Sequence, residues 1–391
     1  MPSSAAVIAN LRGPQPQPAA AAAHIVPATA INVAVIGASG RVGRRVLELI
    51  ARSHAAGSSR SFRVVAAFNS RQALIVPTAI GAAGVADALC ATERTDVARE
   101  LAAVAALPRP LLLVDCTASA EIAARYPGWL ADGIDIVTPN KLGPSANSLL
   151  TAKIVAAQAL SGAHLYDATT VGAQLPLLST LRDLHDAGDR VQSFEAVLSG
   201  TLSYVLARVQ QGEALSAAVR GAVAEGYAEP HPANDLSGED AARKLVILLR
   251  ALGHDIELDE VERAPLVDAA LLAEPDPARL LQGLAAADET WRARAAVAQA
   301  RRECWIYRAS FVHEKGSAPR ARIAPERVPL DHALAQLSPC ENKLVLRSAF
   351  YGAAPLTISG PGAGIDLTAA GVLGDLQLAA RRHRSARAVA A

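Results

Sequence analysis

The sequence predicts an α/β fold: a doubly wound parallel sheet followed by a second α+β domain. Three observations carry this. Ile31–Ile36 is a short, largely β-branched apolar run that leads straight into a glycine-rich turn and a segment with helical spacing. Further short apolar runs then alternate with Ala-rich helical stretches up to about residue 165. Beyond that point the alternation stops, and longer helical stretches mix with separate strand-like runs.

Taken in order, residues 1–30 are rich in Ala and Pro, with one arginine and no acid. They lack the basic start and continuous apolar centre of a secretory signal, and they are expected to be a disordered extension. Ile31–Ile36 is too short for a helix and reads as a buried strand. The helix after the glycine turn is expected over 44–53, with Val46, Leu49 and Ile50 on one face. Strands follow at 63–68, 111–114 and 134–137. The second part gives helices at 175–186, 214–225 and 241–252, and strands at 193–198, 305–313 and 343–350. A glycine-rich turn at 360–364 then precedes a last helix at 368–381, and no internal repeat is present. The expected division is 1–30, a nucleotide-binding domain over 31–165, a second α+β domain over 166–346, and a C-terminal segment over 347–391.

The chain has 391 residues, 51% hydrophobic and 19% charged, with a formal net charge of +1. That balance fits a globular protein and lacks the basic stripe of a nucleic-acid binder. The densest basic run, 381–387, is expected to be a solvated tail. No run of 18 or more apolar residues is present, so no membrane span is expected. Cys90, Cys116, Cys304 and Cys340 are far apart and form no C-x-x-C pair. Reduced thiols in a cytoplasmic protein fit this better than zinc or a disulfide framework.

Chemistry concentrates in three places. The turn Gly37-Ala38-Ser39-Gly40-Arg41-Val42-Gly43 stands between a strand and a helix. Glycines there allow a pyrophosphate to approach the helix N-terminus, making Gly37, Ser39, Gly40, Arg41 and Val42 candidate cofactor contacts. A plain tight turn is the other reading. At the end of the second strand, Asn69-Ser70-Arg71 offers no carboxylate for a ribose 2′-hydroxyl. Arg71 suits a 2′-phosphate, favouring NADP over NAD, although a surface arginine would look the same. In the stretch 226–244, two prolines and short polar residues predict an extended loop presenting Glu229 and Asp235. Ser237 and Asp240 have capping-box spacing, and Asp240 and Lys244 share one helix face at i,i+4. Residues 245–249 are all apolar, so that helix is expected to be buried. A partly desolvated lysine facing carboxylates can move a proton; a cap with a surface ion pair is the alternative.

Over residues 33–379 the sequence resembles the homoserine dehydrogenase family, most of all the dehydrogenase half of bifunctional aspartokinase–homoserine dehydrogenases. The stretches that carry the resemblance are Val114-Asp115-Cys116-Thr117, Val137-Thr138-Pro139-Asn140-Lys141, Leu198-Ser199-Gly200-Thr201-Leu202-Ser203, residues 229–244, and the 360–364 turn followed by Thr368-Ala369. The resemblance implies a Rossmann-type sheet joined to an α+β catalytic and dimerisation domain over 166–346, with the segment over 347–391 returning to the nucleotide-binding domain because its glycine turn matches a cofactor contact. It also implies NADP- or NAD-dependent interconversion of L-homoserine and L-aspartate 4-semialdehyde in threonine, methionine and isoleucine biosynthesis, by a homodimer acting on a small molecule. By the same resemblance Lys244 moves the proton at the reacting oxygen, Asp240 orients substrate, Glu229 binds its amino group, and Asp235 belongs to the substrate set. Lys141 falls near both nicotinamide and substrate, Gly200 and Thr201 line the pocket, and Thr117, Gly226 and Gly362 fall at cofactor contacts. Residues 166–175 resemble the family's loop for a monovalent cation such as sodium, with backbone carbonyls matching Val171, Ala173 and Leu175.

Three departures stand out. The first fingerprint glycine falls on Ala38, or on Gly37 with one inserted residue. The cation loop carries one extra residue before Val171, which moves Asp167 out of register, and Gln174 replaces a usual glycine. His231, Ala233 and Asn234 stand where the family has Asp, Arg and Asp. With about thirty residues on either side of these motifs, a monofunctional enzyme without threonine control is expected.

Overall fold

A computed structural model describes residues 30–55, 62–76, 80–228, 231–314, 316–338 and 341–390. The N-terminal extension, Glu229 and Cys340 lie outside the described residues. The first sheet holds β1 (Ile31–Ile36), β2 (Phe62–Phe68), β3 (Ala73–Ile75), β4 (Leu111–Asp115), β5 (Asp135–Val137) and β6 (Leu165–Tyr166), in the order β3-β2-β1-β4-β5-β6. Neighbours run parallel except β3, an antiparallel edge. All six residues of β1 are buried, because both of its faces are covered. Val33 and Val35 pack against Val46, Leu47 and Ile50 of α1 (Arg41–Ala55). Ala34 and Ile36 share the opposite layer with Tyr126, Trp129 and with Ile154 of α2 (Ser148–Ser161).

The second sheet is ordered β12-β11-β7-β9-β10-β8. Its strands are β7 (Val191–Val197), β8 (Glu262–Arg263), β9 (Glu303–Val312), β10 (Arg320–Pro329), β11 (Glu341–Ser348) and β12 (Leu356–Pro361). Pairing is antiparallel apart from the two-residue contact of β8 with β10. One face of this sheet, including Phe194, Tyr307, Phe311 and Leu344, is covered by α3 (Leu177–Asp186), α4 (Gly200–Gln210), α5 (Leu215–Ala224), α6 (Ala233–Ser237), α7 (Glu239–Ala251) and α8 (Asp288–Ala300). In α7, Leu245 to Leu249 are all buried. At roughly 1.5–3 kcal/mol for each large apolar side chain removed from water, this run anchors the helix. The last helix, α9 (Ile365–Ala390), crosses back and packs Ala369, Val372 and Leu376 onto α1 and the first sheet.

Several expectations need correction. β3, β6, β8, β10 and β12 were not legible. β10 contains Pro325 and Pro329, and a strand whose outer neighbour pairs only two residues tolerates their missing N–H groups. β12 stays in the second sheet, so the return to the first sheet starts at Ile365 and not at 347. The basic run 381–387 is not simply a solvated tail. The helix continues through it, and His383 Nε2 and Arg382 Nη1 lie 3.0 Å and 3.5 Å from the buried Asp135 carboxylate at the start of β5. Among the described residues, no helix is long and apolar enough to cross a membrane.

Asp375 lies on the buried face of α9, and its Oδ2 has no hydrogen-bond partner among the described residues. Burial, and then the charge of Asp167, push its pKa up to about 7, against the Ala168 backbone hydrogen bond and the Arg182 guanidinium. Because the folded-state pKa is raised, the folded form keeps a proton that the unfolded chain releases near pH 4. Stability is therefore lost as pH rises from about 4 through 7. Asp375→Asn carries a donor where the protonated acid carries one. Its Tm should exceed the wild-type Tm at pH 8, by at most about 4 kcal/mol in stability, and the gap should close towards pH 4. Equal pH slopes for the two proteins in calorimetric melts would disprove the assignment.

Candidate active site

Strand order reverses between β1 and β4, which opens a crevice at the carboxyl ends of these strands. The turn after β1 lies at that crevice. Gly37 takes φ +76°, and a Cβ there would meet the Cys116 carbonyl at 3.0 Å and the Thr117 methyl at 3.1 Å. Gly37 and not Ala38, which is buried, is thus the residue with the special backbone. A Cβ at Gly43 would lie 2.2 Å from the Gly37 carbonyl oxygen, so glycine alone lets α1 pack this close to the turn. Ser39, Gly40, Arg41 and Val42 then form the open approach to the N-terminus of α1, whose first N–H groups lack intrahelical partners. This arrangement fits a dinucleotide pyrophosphate. Arg71 is exposed beyond the end of β2. Its backbone N–H is held by Asn69 Oδ1 at 2.8 Å, and its guanidinium has no partner among the described residues.

The reactive side chains converge from both sheets. Lys141 follows β5, and its Nζ lies 3.1 Å from Asp240 Oδ1. Lys244, one turn after Asp240 on α7, places its Nζ 2.8 Å from Asp240 Oδ2. The same ammonium donates to the Leu198 carbonyl at 2.8 Å. Lys244 is only 12% exposed in its side chain, against 32% for Lys141 and 37% for Asp240. Burial works to raise the Asp240 pKa, but the Lys244 and Lys141 ammonium groups beside it hold it well below the usual carboxylate range. Gly200 and Thr201 open α4 just beyond Leu198, where Ser199 caps the helix by accepting from the Leu202 N–H. The Thr201 hydroxyl donates to the Tyr227 carbonyl at 2.5 Å, tying this turn to the loop that carries Gly226.

Other predicted features fall differently. Asp235 sits in the short helix α6 and not in an extended loop. Gly238, in a left-handed conformation, separates α6 from α7, so Ser237 closes one helix; its hydroxyl accepts from the Glu239 N–H at 3.1 Å, but it forms no capping box with Asp240. His231 turns its ring to the Glu274 carbonyl. Gly362 follows β12 and presses on buried Asn342, where a Cβ would overlap the amide at 2.0 Å. Around Val171, Ala173 and Leu175, Gly172 and Ala173 both have positive φ, while Asp167 is engaged by Arg182 at 2.7 Å. Among the described residues no group of three or more His, Cys, Asp or Glu could hold a metal ion.

Sequence reasoning gave no role to a buried polar cluster behind Thr117 and Lys141, made of Asp115, Tyr126, Thr138 and Asn140. The available signal was a charged residue closing the all-apolar run of β4, followed at a distance by Thr-Pro-Asn.

The sequence profile described as "Homoserine dehydrogenase, NAD binding domain" matches residues 39–167, and that described as "Homoserine dehydrogenase" matches 176–377. The homoserine dehydrogenase of Schizosaccharomyces pombe is 33% identical over 362 residues, covering 89% of this chain and 95% of that one. A chloroplastic bifunctional aspartokinase/homoserine dehydrogenase 2 of Zea mays is 37% identical over 267 residues, covering 68% of this chain. The chain spans only 28–42% of the length of the bifunctional relatives it matches. A hyperthermophilic archaeal homoserine dehydrogenase solved in complex with NADPH shares the fold, with TM-score 0.67 at 21% identity over 88% of this chain and 96% of that one. The shared profiles and the nearly full-length fungal relative show that the chain belongs to the homoserine dehydrogenase family.

Proposed function

We propose that this protein is a homoserine dehydrogenase that interconverts L-homoserine and L-aspartate 4-semialdehyde, using NADP in preference to NAD. The observation that carries the reading is the Asp240 carboxylate shared between Lys141, which follows a strand of the first sheet, and Lys244, on a helix of the second unit. A bound nicotinamide dinucleotide supplies the hydride chemistry. Lys244 does the proton work: its ammonium gives a proton to the aldehyde oxygen in reduction and, as the amine, takes one from the hydroxyl in oxidation. Asp240 and the Leu198 carbonyl keep that ammonium aimed. Lys141 adds a second positive charge where negative charge grows on oxygen.

Gly200, Thr201 and Asp235 complete the substrate pocket in this reading, and Glu229 holds the substrate ammonium on the family resemblance alone. Gly37, Ser39, Gly40, Arg41 and Val42 cradle the pyrophosphate, with Thr117, Lys141, Gly226 and Gly362 as further cofactor contacts. The NADPH complex of the archaeal homoserine dehydrogenase supports the cofactor class. A monovalent cation such as sodium on the carbonyls of Val171, Ala173 and Leu175 belongs to the reading on the family resemblance alone. The reading includes a homodimer formed through the second unit. It also includes a cytoplasmic location, supported by the free thiols of Cys90, Cys116 and Cys304.

Lys244→Ala should lower turnover of aspartate semialdehyde by about 10²–10⁴-fold while NADPH binding stays near wild type. Near wild-type turnover would reduce Lys244 to one half of a helix ion pair. Arg71→Ala should raise the Michaelis constant for NADPH far more than that for NADH, by roughly tenfold or more for loss of one charge-assisted contact. An unchanged NADPH/NADH preference in paired steady-state assays would return Arg71 to the solvated surface.

A further inference from the structure

Thr117 and Lys141 leave different strands, and the backbone ladder between those strands ends before either residue. β4 and β5 pair only as far as Val114 opposite Val137. Beyond that register a side-chain network takes over. Asp115, fully buried, accepts from the Thr117 N–H on Oδ1 at 2.8 Å. Its Oδ2 accepts from the Tyr126 hydroxyl at 2.6 Å and from the Asn140 amide at 3.0 Å. The Thr138 hydroxyl donates to the Asp115 carbonyl at 2.9 Å and accepts from the Asn140 N–H at 2.9 Å. The Asn140 amide also donates to the Ser119 carbonyl, and its Oδ1 accepts from the Leu142 N–H, both at 3.0 Å. Lys141 is thus clamped between two residues of the network, on the turn opposite Thr117.

A buried carboxylate with no salt-bridge partner among the described residues is a costly way to fill space. Apolar residues of similar volume would stabilise the fold as well or better. What the carboxylate adds is direction, since donors from two turns and from the helix that Tyr126 opens must all point at it. We propose that Asp115 is a positioning residue for the reaction: it locks the turn of Thr117 to the turn of Lys141, so that the cofactor contact and the lysine keep one relative geometry. This rests on the functional reading above and adds to it a role for a side chain that touches neither substrate nor cofactor.

Asp115→Asn keeps the shape but sets an amide donor against the donors of Tyr126 or Asn140. Turnover of aspartate semialdehyde with NADPH should fall by up to about 10²-fold, with a smaller change in the Michaelis constant for NADPH. In protein carrying ¹³C-methylated lysines, the Lys141 resonance, assigned with Lys141→Arg, should move as its surroundings change. The exchanged pair Asp115→Asn/Asn140→Asp faces an acceptor with a donor again and should recover part of both effects. Should Asp115→Asn fail to fold, Tyr126→Phe removes one donor with little loss of packing and should show the same changes on a smaller scale. A lowered Tm with unchanged turnover and an unchanged Lys141 resonance overturns the proposal. If the wild type itself fails to reduce aspartate semialdehyde, the functional reading falls, and the Lys141 resonance still decides whether Asp115 positions it.

Discussion

Two ammonium groups in a partly closed cleft repel each other, and Asp240 is what allows Lys141 and Lys244 to share one. Each lysine contacts a different oxygen of the same carboxylate. The attraction is stronger than it would be in water, because the Lys244 side chain is mostly shielded. The burial that shields it comes from the apolar run after Lys244, which fixes α7 against the second sheet. Core packing and site electrostatics are therefore one arrangement. Loosening α7 would expose the lysine, and removing the carboxylate would leave two like charges facing each other.

The same dependence runs through the first sheet. The turn after β1 can sit against the β4 turn only because Gly37 and Gly43 leave room for backbone where side chains would stand. Those turns in turn face the one bearing Lys141, and α9 covers the face of the sheet on which α1 lies. Arg45 of α1 reaches Asp366 of α9 at 2.6 Å, and the far end of α9 reaches Asp135 through His383. The cofactor side of the cleft is assembled from pieces distant in sequence.

Much of this was legible in the sequence, for physical reasons. Ile31–Ile36 could only be a doubly covered strand, and the five apolar residues after Lys244 could only belong to a buried helix. The i,i+4 spacing put Asp240 and Lys244 on one face, and the structure pairs them. Family resemblance placed Lys141 only near nicotinamide and substrate, and its contact with the same carboxylate was not foreseen, since a contact between residues about a hundred positions apart leaves no local pattern. The Asp115 network was missed for the same reason: its partners lie 2, 11 and 25 residues away on three different elements. The capping box failed because Gly238 turns the chain left-handed, a choice that Ser-x-x-Asp spacing cannot reveal. β10 was hidden by its prolines, which only knowledge of its sparse outer pairing makes acceptable.

The covering of β1 by α9 has a consequence for the order in which the molecule can form. Arg45 and Asp366 are separated by 321 positions, so α1 waits for a helix made much later in synthesis. Until that helix emerges, the apolar surface that Ala369, Val372 and Leu376 cover stays open to water and to other nascent chains. Closure over so long a loop is slow, and exposed stripes of this kind invite chaperone binding or aggregation. The second unit is continuous from Leu177 to Pro361, and it can pack while the first sheet still waits. Folding is then expected to be biphasic, with the cofactor crevice completed in the later phase.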